Sequence, residues 1–326
     1  MNLLGILFPN ISDDIVKVAC IIIAVLVVVS IGLAIIRFLK PEARIGELIS
    51  RTKSWWIMCG IFFSACFINN TLSYFALGLL SFFAFRELYS VLGFRDSDRS
   101  ALLLAIAAIP IQYYLAYIGW YGWFIILIPV IMFLVLPIIL VIKEDTHRIT
   151  KSMAMLQWTL MLSVFGISHL AYLLSMPEPE IGKGAVPFTA GGRGLLLFIV
   201  VLTELNDVMQ FVWGKLFGRH KILPKVSPNK TWEGFVGGVI STTIIGYFLR
   251  FLTPLPEGYA LFVSFMVGFS GFWGDVVLSA IKRDKGIKDM GDSIPGHGGI
   301  FDRIDSLSYT APVFFHLVYY LSYPHM

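Results

Sequence analysis

At 326 residues, 57% hydrophobic and only 14% charged, the chain is too apolar for an ordinary soluble domain, in which about 25% of residues carry charge. Its net charge of +4 gives no reason to invoke nucleic acid, because the basic residues gather in a few short stretches between apolar runs. Cys20, Cys59 and Cys66 all lie inside such runs, which speaks against a disulfide or a zinc site and for packing roles.

A hydrocarbon core of about 30 Å requires about 20 apolar residues of a helix. In chain order such runs predict ten spans, at 15–38, 55–69, 72–92, 101–118, 122–142, 153–175, 194–213, 234–252, 259–281 and 307–323. The first reads as an anchor with its N-terminus outside rather than a cleaved signal peptide. Asp13-Asp14 precede it, Arg37, Lys40 and Arg44 follow it, and it has no basic leader. Between the second and third spans, Asn69-Asn70-Thr71 leaves room for only a very short turn. Lipid admits helices or closed barrels, and no series of ten-residue alternating strands is present. The expected fold is therefore an all-α, polytopic integral membrane protein with about ten transmembrane helices.

Loops 39–54, 93–100, 143–152, 214–233 and 282–306 carry nineteen lysines and arginines, whereas the alternate loops carry only Lys183 and Arg193. The positive-inside rule then puts the basic loops in the cytoplasm and both termini outside. No internal repeat is visible, so residues 1–193 are expected to form a transmembrane scaffold and 194–326 the catalytic region of one integrated membrane domain. Within the scaffold the adjacent pair Arg86-Glu87 is the exception, more suited to pairing between helices than to touching substrate.

Three polar constellations occupy the second half. The first is Glu204, Asn206, Asp207 and Gln210, costly inside a span and suited either to interhelical hydrogen bonds or to the wall of a polar cavity. The second is the loop Ser227-Pro228-Asn229-Lys230-Thr231-Trp232-Glu233-Gly234, in which Ser227, Lys230 and Thr231 precede a helix. It is not a Walker A loop, yet hydroxyls, a cation and free backbone N–H groups suit a phosphate as well as they suit plain helix capping. The third places Asp275, Ser279, Lys282 and Arg283 on one helical face, after close-packing glycines at 268, 271 and 274. Asp302 and Asp305 follow a glycine-rich reversal containing His297. Carboxylates beside so many phosphate-binding donors suit a hard cation such as Mg²⁺ shared with substrate phosphates, with mutual neutralisation in a structural salt-bridge knot as the alternative.

The pattern Ser279-x-Ile281-Lys282-Arg283-x4-Lys288-Asp289-x-Gly291-x2-Ile294-Pro295-x-His297-Gly298-Gly299-Ile300-x-Asp302-Arg303-Ile304-Asp305 resembles the signature of the phosphatidate cytidylyltransferases, or CDP-diacylglycerol synthases. Ser227-Pro228-Asn229-Lys230-Thr231-Trp232-Glu233-Gly234 and Asn206-Asp207 are similar to two further segments of that family, so the likeness covers about residues 200–306. Val208-Met209-Gln210 and an extra N-terminal span depart from many bacterial members, as in a divergent paralogue.

The resemblance implies an enzyme of the bacterial inner membrane whose active site faces the cytoplasm. It would join CTP to phosphatidic acid with Mg²⁺, and with room for a second cation, giving CDP-diacylglycerol and pyrophosphate. Asp275 and Asp302, supported by Asp305, would hold metal, and Lys282 and Arg283 would act on the reacting phosphates. Ser227, Lys230, Thr231, Asp207, Ser279, Lys288, Asp289, His297 and Arg303 would bind substrate. A homodimer is compatible with this reading. Two other classes fit parts of the pattern: a CTP-dependent lipid kinase or a cytidylyltransferase for another lipid phosphate, and a transporter of anionic solutes.

Overall fold

The computed structural model describes residues 11–40, 45–67, 69–177, 189–291, 293 and 298–322. Each predicted apolar run is a helix. In chain order they are α1 (Asp13–Leu39), α2 (Gly46–Phe67), α3 (Asn70–Leu92), α4 (Arg99–Tyr117), α5 (Tyr121–Ile142) and α6 (Ile149–Leu173). There follow α7 (Gly191–Phe217), α8 (Trp232–Leu249), α9 (Glu257–Asp284), a short α10 (Phe301–Ile304) and α11 (Leu307–Ser322). Among the described residues, eight helices are long and apolar enough to cross a membrane. Of the ten expected spans, α2 and the 16-residue α11 fall short of that measure. The second helix begins at Gly46 rather than 55 because Arg51 and Lys53 are taken into its first turns.

Local chemistry explains the helix ends. Ser12 caps α1, Asp13 and Asp14 fill its first turn and Arg37 its last, matching the sign of the helix dipole at each end. The short turn expected at 69–71 is an Asn69 cap whose side chain accepts the Thr71 N–H at 2.9 Å. Gly93, at φ 71°, ends α3 in the left-handed conformation that an L side chain resists.

One feature departs from an all-helical chain. β1 (Lys221–Leu223) and β2 (Ser227–Thr231) form a small antiparallel hairpin, with Lys221 opposite Thr231 and Leu223 opposite Ser227. Strands this short and polar have no alternation to reveal them in sequence. The second strand runs directly into α8, where the Thr231 side chain accepts the Gly234 N–H at 3.1 Å.

Helices α7, α8, α9 and α11 pack into the unit that carries the hairpin, and small residues set how closely they approach. A Cβ at Gly238 would lie 2.4 Å from the Gln210 side chain, and one at Gly274 would lie 3.0 Å from Tyr309. The core is filled by Phe85, Phe124, Phe198, Phe272, Phe301, Phe314 and Phe315, whereas Ile21, Val28, Phe75, Leu103, Ile138, Ile240 and Phe248 are exposed apolar side chains suited to lipid.

Contacts between loops bring the basic connections to one end of the bundle. Arg95 bridges to the Asp145 carbonyl at 3.1 Å and to the His147 carbonyl, Lys285 reaches the Leu92 carbonyl at 3.4 Å, and Arg283 reaches the Val226 carbonyl at 3.3 Å. At that end the Asp145 carboxyl is held below its ordinary range by the Ser97 hydroxyl and the His147 N–H. The opposite end is joined by Tyr172 to the Gly119 carbonyl at 2.7 Å and by Arg193 to Asn70 at 2.7 Å. With the basic end in the cytoplasm, Glu257→Cys is expected to react with an impermeant thiol reagent added outside intact cells, and Thr146→Cys and Lys221→Cys to stay protected. Labelling at 221 but not 257 would invert the orientation.

Candidate active site

Four polar segments, from α7, β2, α9 and residues 302–306, converge at the hairpin. From α7, Asp207 accepts the Ser306 hydroxyl at 3.0 Å through Oδ2, while its buried Oδ1 has no hydrogen-bond partner among the described residues. From β2, Lys230 lies 2.6 Å from Asp275 of α9, donates to Gln210 of α7 at 3.2 Å and stands 4.6 Å from the Phe272 ring centre. One turn on, Ser279 donates to Asp275 at 3.2 Å. A further turn along α9, Lys282 lies 3.0 Å from Asp302 and 4.0 Å from Asp305. These groups adjoin a cavity of about 240 Å³ lined by Asp207, Gln210, Phe211, Ser227, Asn229, Lys230, Thr231, Gly234, Phe235, Phe272 and Asp275.

Cavity wall and interhelical glue divide the first constellation between them. Asn206 is fully buried, accepts Thr242 at 3.0 Å and donates to the Gly268 carbonyl at 3.3 Å, so it locks α7 to α8 and α9. Asp207 and Gln210 line the cavity instead. Glu204 lies within the electrostatic reach of Arg303, away from the cavity lining.

The expected residues separate in the same way. Ser227, Lys230, Thr231, Asp207 and Asp275 line one space, with Ser279 directly behind Asp275. The Thr231 hydroxyl caps α8 as well. Arg283 turns outward and braces the hairpin through Val226 and the loop through Ile287, at 3.3 and 3.2 Å. Lys288 and Asp289 are exposed. His297 lies outside the described residues. Phe272, three residues before Asp275, faces the Lys230 ammonium, yet in the sequence it is one of several aromatics along α9 and carries no distinguishing signal.

Asp302 is held by three donors. Its Oδ2 accepts the Met290 N–H at 2.7 Å and the Gly299 N–H at 3.0 Å, and its Oδ1 accepts Lys282. Gly298, at φ 80°, places the chain for these contacts in a conformation open to glycine. Asp305 accepts the Ser306 N–H at 2.8 Å. Burial pushes its carboxyl well above the usual carboxylate range, and the charges of Asp275 and Asp207 push the same way while Lys282 opposes them.

Four carboxylates, Asp207, Asp275, Asp302 and Asp305, thus face two ammonium groups. An acidic excess with one orphaned carboxylate oxygen fits a hard cation, which needs only one or two carboxylates when phosphates complete its shell. Among the described residues no three acidic, histidine or cysteine side chains stand together as a ready-made metal cluster. For Asp302 to ligate a cation it must exchange the Lys282 ammonium.

Comparison with known proteins shows the family of the chain. The model of the cytidylyltransferase family matches residues 49–321, taking in the scaffold as well as the site. The chain belongs to that family, whose members are nucleotidyltransferases. It is 40% identical over 289 residues to the uncharacterized protein YnbB of Escherichia coli (strain K12), covering 87% of this chain and 91% of that one. It is 35% identical over 171 residues to a phosphatidate cytidylyltransferase of Staphylococcus haemolyticus, covering 51% and 65% of the two chains. A phosphatidate cytidylyltransferase of Mycobacterium leprae is 40% identical over 123 residues, covering 37% and 39%.

The Lys230–Asp275 pair sets a stability test. Lys230→Ala leaves Asp275 without its closest cation, so it is expected to lower the melting temperature of the detergent-solubilised protein more than Lys230→Ala combined with Asp275→Asn. The difference should be roughly 1–2 kcal/mol, below the roughly 3–5 kcal/mol of a fully buried pair, because the two side chains keep 16% and 29% of their exposure. Additive losses in the double variant would show that the pair is not coupled.

Proposed function

We propose that this protein is a CTP:phosphatidate cytidylyltransferase of the bacterial inner membrane, with its site facing the cytoplasm. The observation that carries the proposal is a charged cavity set among lipid-facing helices. Lys230 and Asp275 lie in its wall, and Phe211 both lines it and is 61% exposed on the apolar surface of α7. A cavity with an ionic wall and an apolar rim suits a substrate with a phosphate head and hydrocarbon tails. Relatives named phosphatidate cytidylyltransferase match 171 and 123 residues of this chain, which supports the reading.

In the reaction, a phosphate oxygen of phosphatidic acid attacks the α-phosphorus of CTP. One O–P bond forms, the bond from the α-phosphorus to the bridging oxygen breaks, and pyrophosphate departs. A phosphate monoester is already a competent nucleophile near neutral pH, so the protein's work is to offset repulsion between anions and to align them. Lys230 is placed to hold phosphate at the hairpin, where Ser227 and Asn229 add polar groups. Lys282, two turns from Asp275 towards the C-terminal end of α9, meets charge that develops on the leaving phosphates. Asp275 once its Lys230 ammonium is exchanged, Asp302 once Lys282 is exchanged, Asp305 and the free Oδ1 of Asp207 are the carboxylates from which the one or two that would hold Mg²⁺ are drawn. That ion supplies charge neutralisation of the phosphates.

A lipid kinase using CTP would release CDP, and a transporter would consume no nucleotide. Purified protein with CTP, Mg²⁺ and phosphatidic acid is expected to yield CDP-diacylglycerol and pyrophosphate in equal amounts. Asp275→Asn, which keeps the shape but removes the charge, is expected to lose at least about a hundredfold in rate, equivalent to about 2.7 kcal/mol of transition-state stabilisation. Release of CDP with phosphorylated lipid, or a variant that retains more than about a tenth of the rate, would contradict the assignment.

A further inference from the structure

Glu87 stands on α3, in the half of the chain that contributes nothing to the cavity wall. Its carboxylate nevertheless gathers three donors from the glycine-rich signature segment, more than 200 residues away in sequence. The Ser293 hydroxyl donates to Oε1 at 2.6 Å, the Ile300 N–H to Oε1 at 2.9 Å and the Phe301 N–H to Oε2 at 2.8 Å. Two glycines make room for it: a Cβ at Gly299 would fall 2.5 Å from Oε2, and one at Gly291 would fall 3.1 Å from Oε1. The backbone at Gly291 and from Gly299 to Phe301 lies close against this one carboxylate.

Asp302 grips the same segment from the other side, through the Met290 and Gly299 N–H groups, while holding Lys282. Gly299 therefore lies between two carboxylates, its N–H given to Asp302 and its α-carbon set against Glu87. Displacing Glu87 moves 299–301, and with them the Asp302–Lys282 pair.

We infer that Glu87 is a positioning residue for the transfer reaction: it clamps Ser293 and the turn Gly299-Ile300-Phe301 and thereby fixes where Asp302 presents Lys282 to the reacting phosphates. This rests on the cytidylyltransferase reading above. A carboxylate is needed because two backbone N–H groups and a hydroxyl require acceptors on both oxygens, and a charged acceptor strengthens each bond. Glutamine keeps the size but turns an NH₂ donor towards an N–H. Aspartate keeps both acceptors but is one methylene shorter.

The test compares the wild type with Glu87→Gln and Glu87→Asp in lipid nanodiscs, by amide hydrogen exchange of residues 298–303 and by kcat and KM for CTP. Ser293→Ala, which removes one donor without touching Glu87, stands in should Glu87→Gln fail to accumulate. Glu87→Gln is expected to raise exchange in 298–303 by about tenfold or more and to lower kcat by about tenfold to a hundredfold, the range for a catalytic group displaced by about an ångström. KM for CTP should stay within about threefold and the melting temperature near that of the wild type. Glu87→Asp should recover part of kcat, and Ser293→Ala should shift exchange and kcat in the same direction by less. Unchanged exchange in 298–303, unchanged kcat, or a loss confined to KM for CTP would overturn the inference. A wild type that makes no CDP-lipid would defeat the transferase reading, leaving the exchange comparison to uphold or overturn the clamp.

Discussion

Charge in a bundle this apolar is stable only where it meets opposite charge or a hydrogen-bond donor, and the contact that best expresses this constraint is Lys230 against Asp275 at 2.6 Å. That contact ties the hairpin to α9, and through Gln210 it reaches α7. Around it the same requirement repeats: Lys282 with Asp302, Asp207 with Ser306, Asn206 with Thr242. Each pair joins different elements, so the polar groups of the candidate site are also what hold α7, α8, α9 and the hairpin in register. Gly268 and Gly271 beside Asn206, and Gly238 beside Gln210, let the helices approach until these short bonds can form.

Such an arrangement reconciles stability with catalysis. The acidic groups outnumber the ammonium groups, and one carboxylate oxygen of Asp207 is left unpaired. A fully neutralised site would have no use for a cation, and it is this acidic excess on which the proposed function draws. The scaffold half takes part through Glu87, so the family match beginning at residue 49 covers helices that shape the reacting loop as well as those that merely surround it.

Much of the helical order was legible in the sequence because apolar length is a strong signal: all ten runs became helices, and the Asn69 turn fell where expected. The clustering of the candidate residues was legible by composition and spacing, since Ser279 meets Asp275 on one face of α9 and Lys230 reaches it. Partnership was not. Lys282 reads as a neighbour of Asp275, one helical stretch below it, but it pairs with Asp302 after a loop that no spacing rule describes. Arg283, adjacent to Lys282, faces the hairpin exterior because consecutive helical residues point about 100° apart. The hairpin itself escaped because eight strand residues with little apolar content leave no periodic trace. Glu87 was visible only as a costly charge, and its partners lie too far along the chain for any local pattern to name them.

The central claim is that nucleotide phosphate is held at the hairpin by Lys230. Equilibrium dialysis of radiolabelled CTP against purified protein tests it without requiring turnover. The wild type and Lys17→Ala, which alters an exposed lysine at the opposite end of the bundle, are expected to bind alike. Lys230→Ala is expected to bind at least about tenfold more weakly, a loss of about 1.4 kcal/mol. Equal CTP affinity in Lys230→Ala and the wild type would place the nucleotide elsewhere and contradict the account.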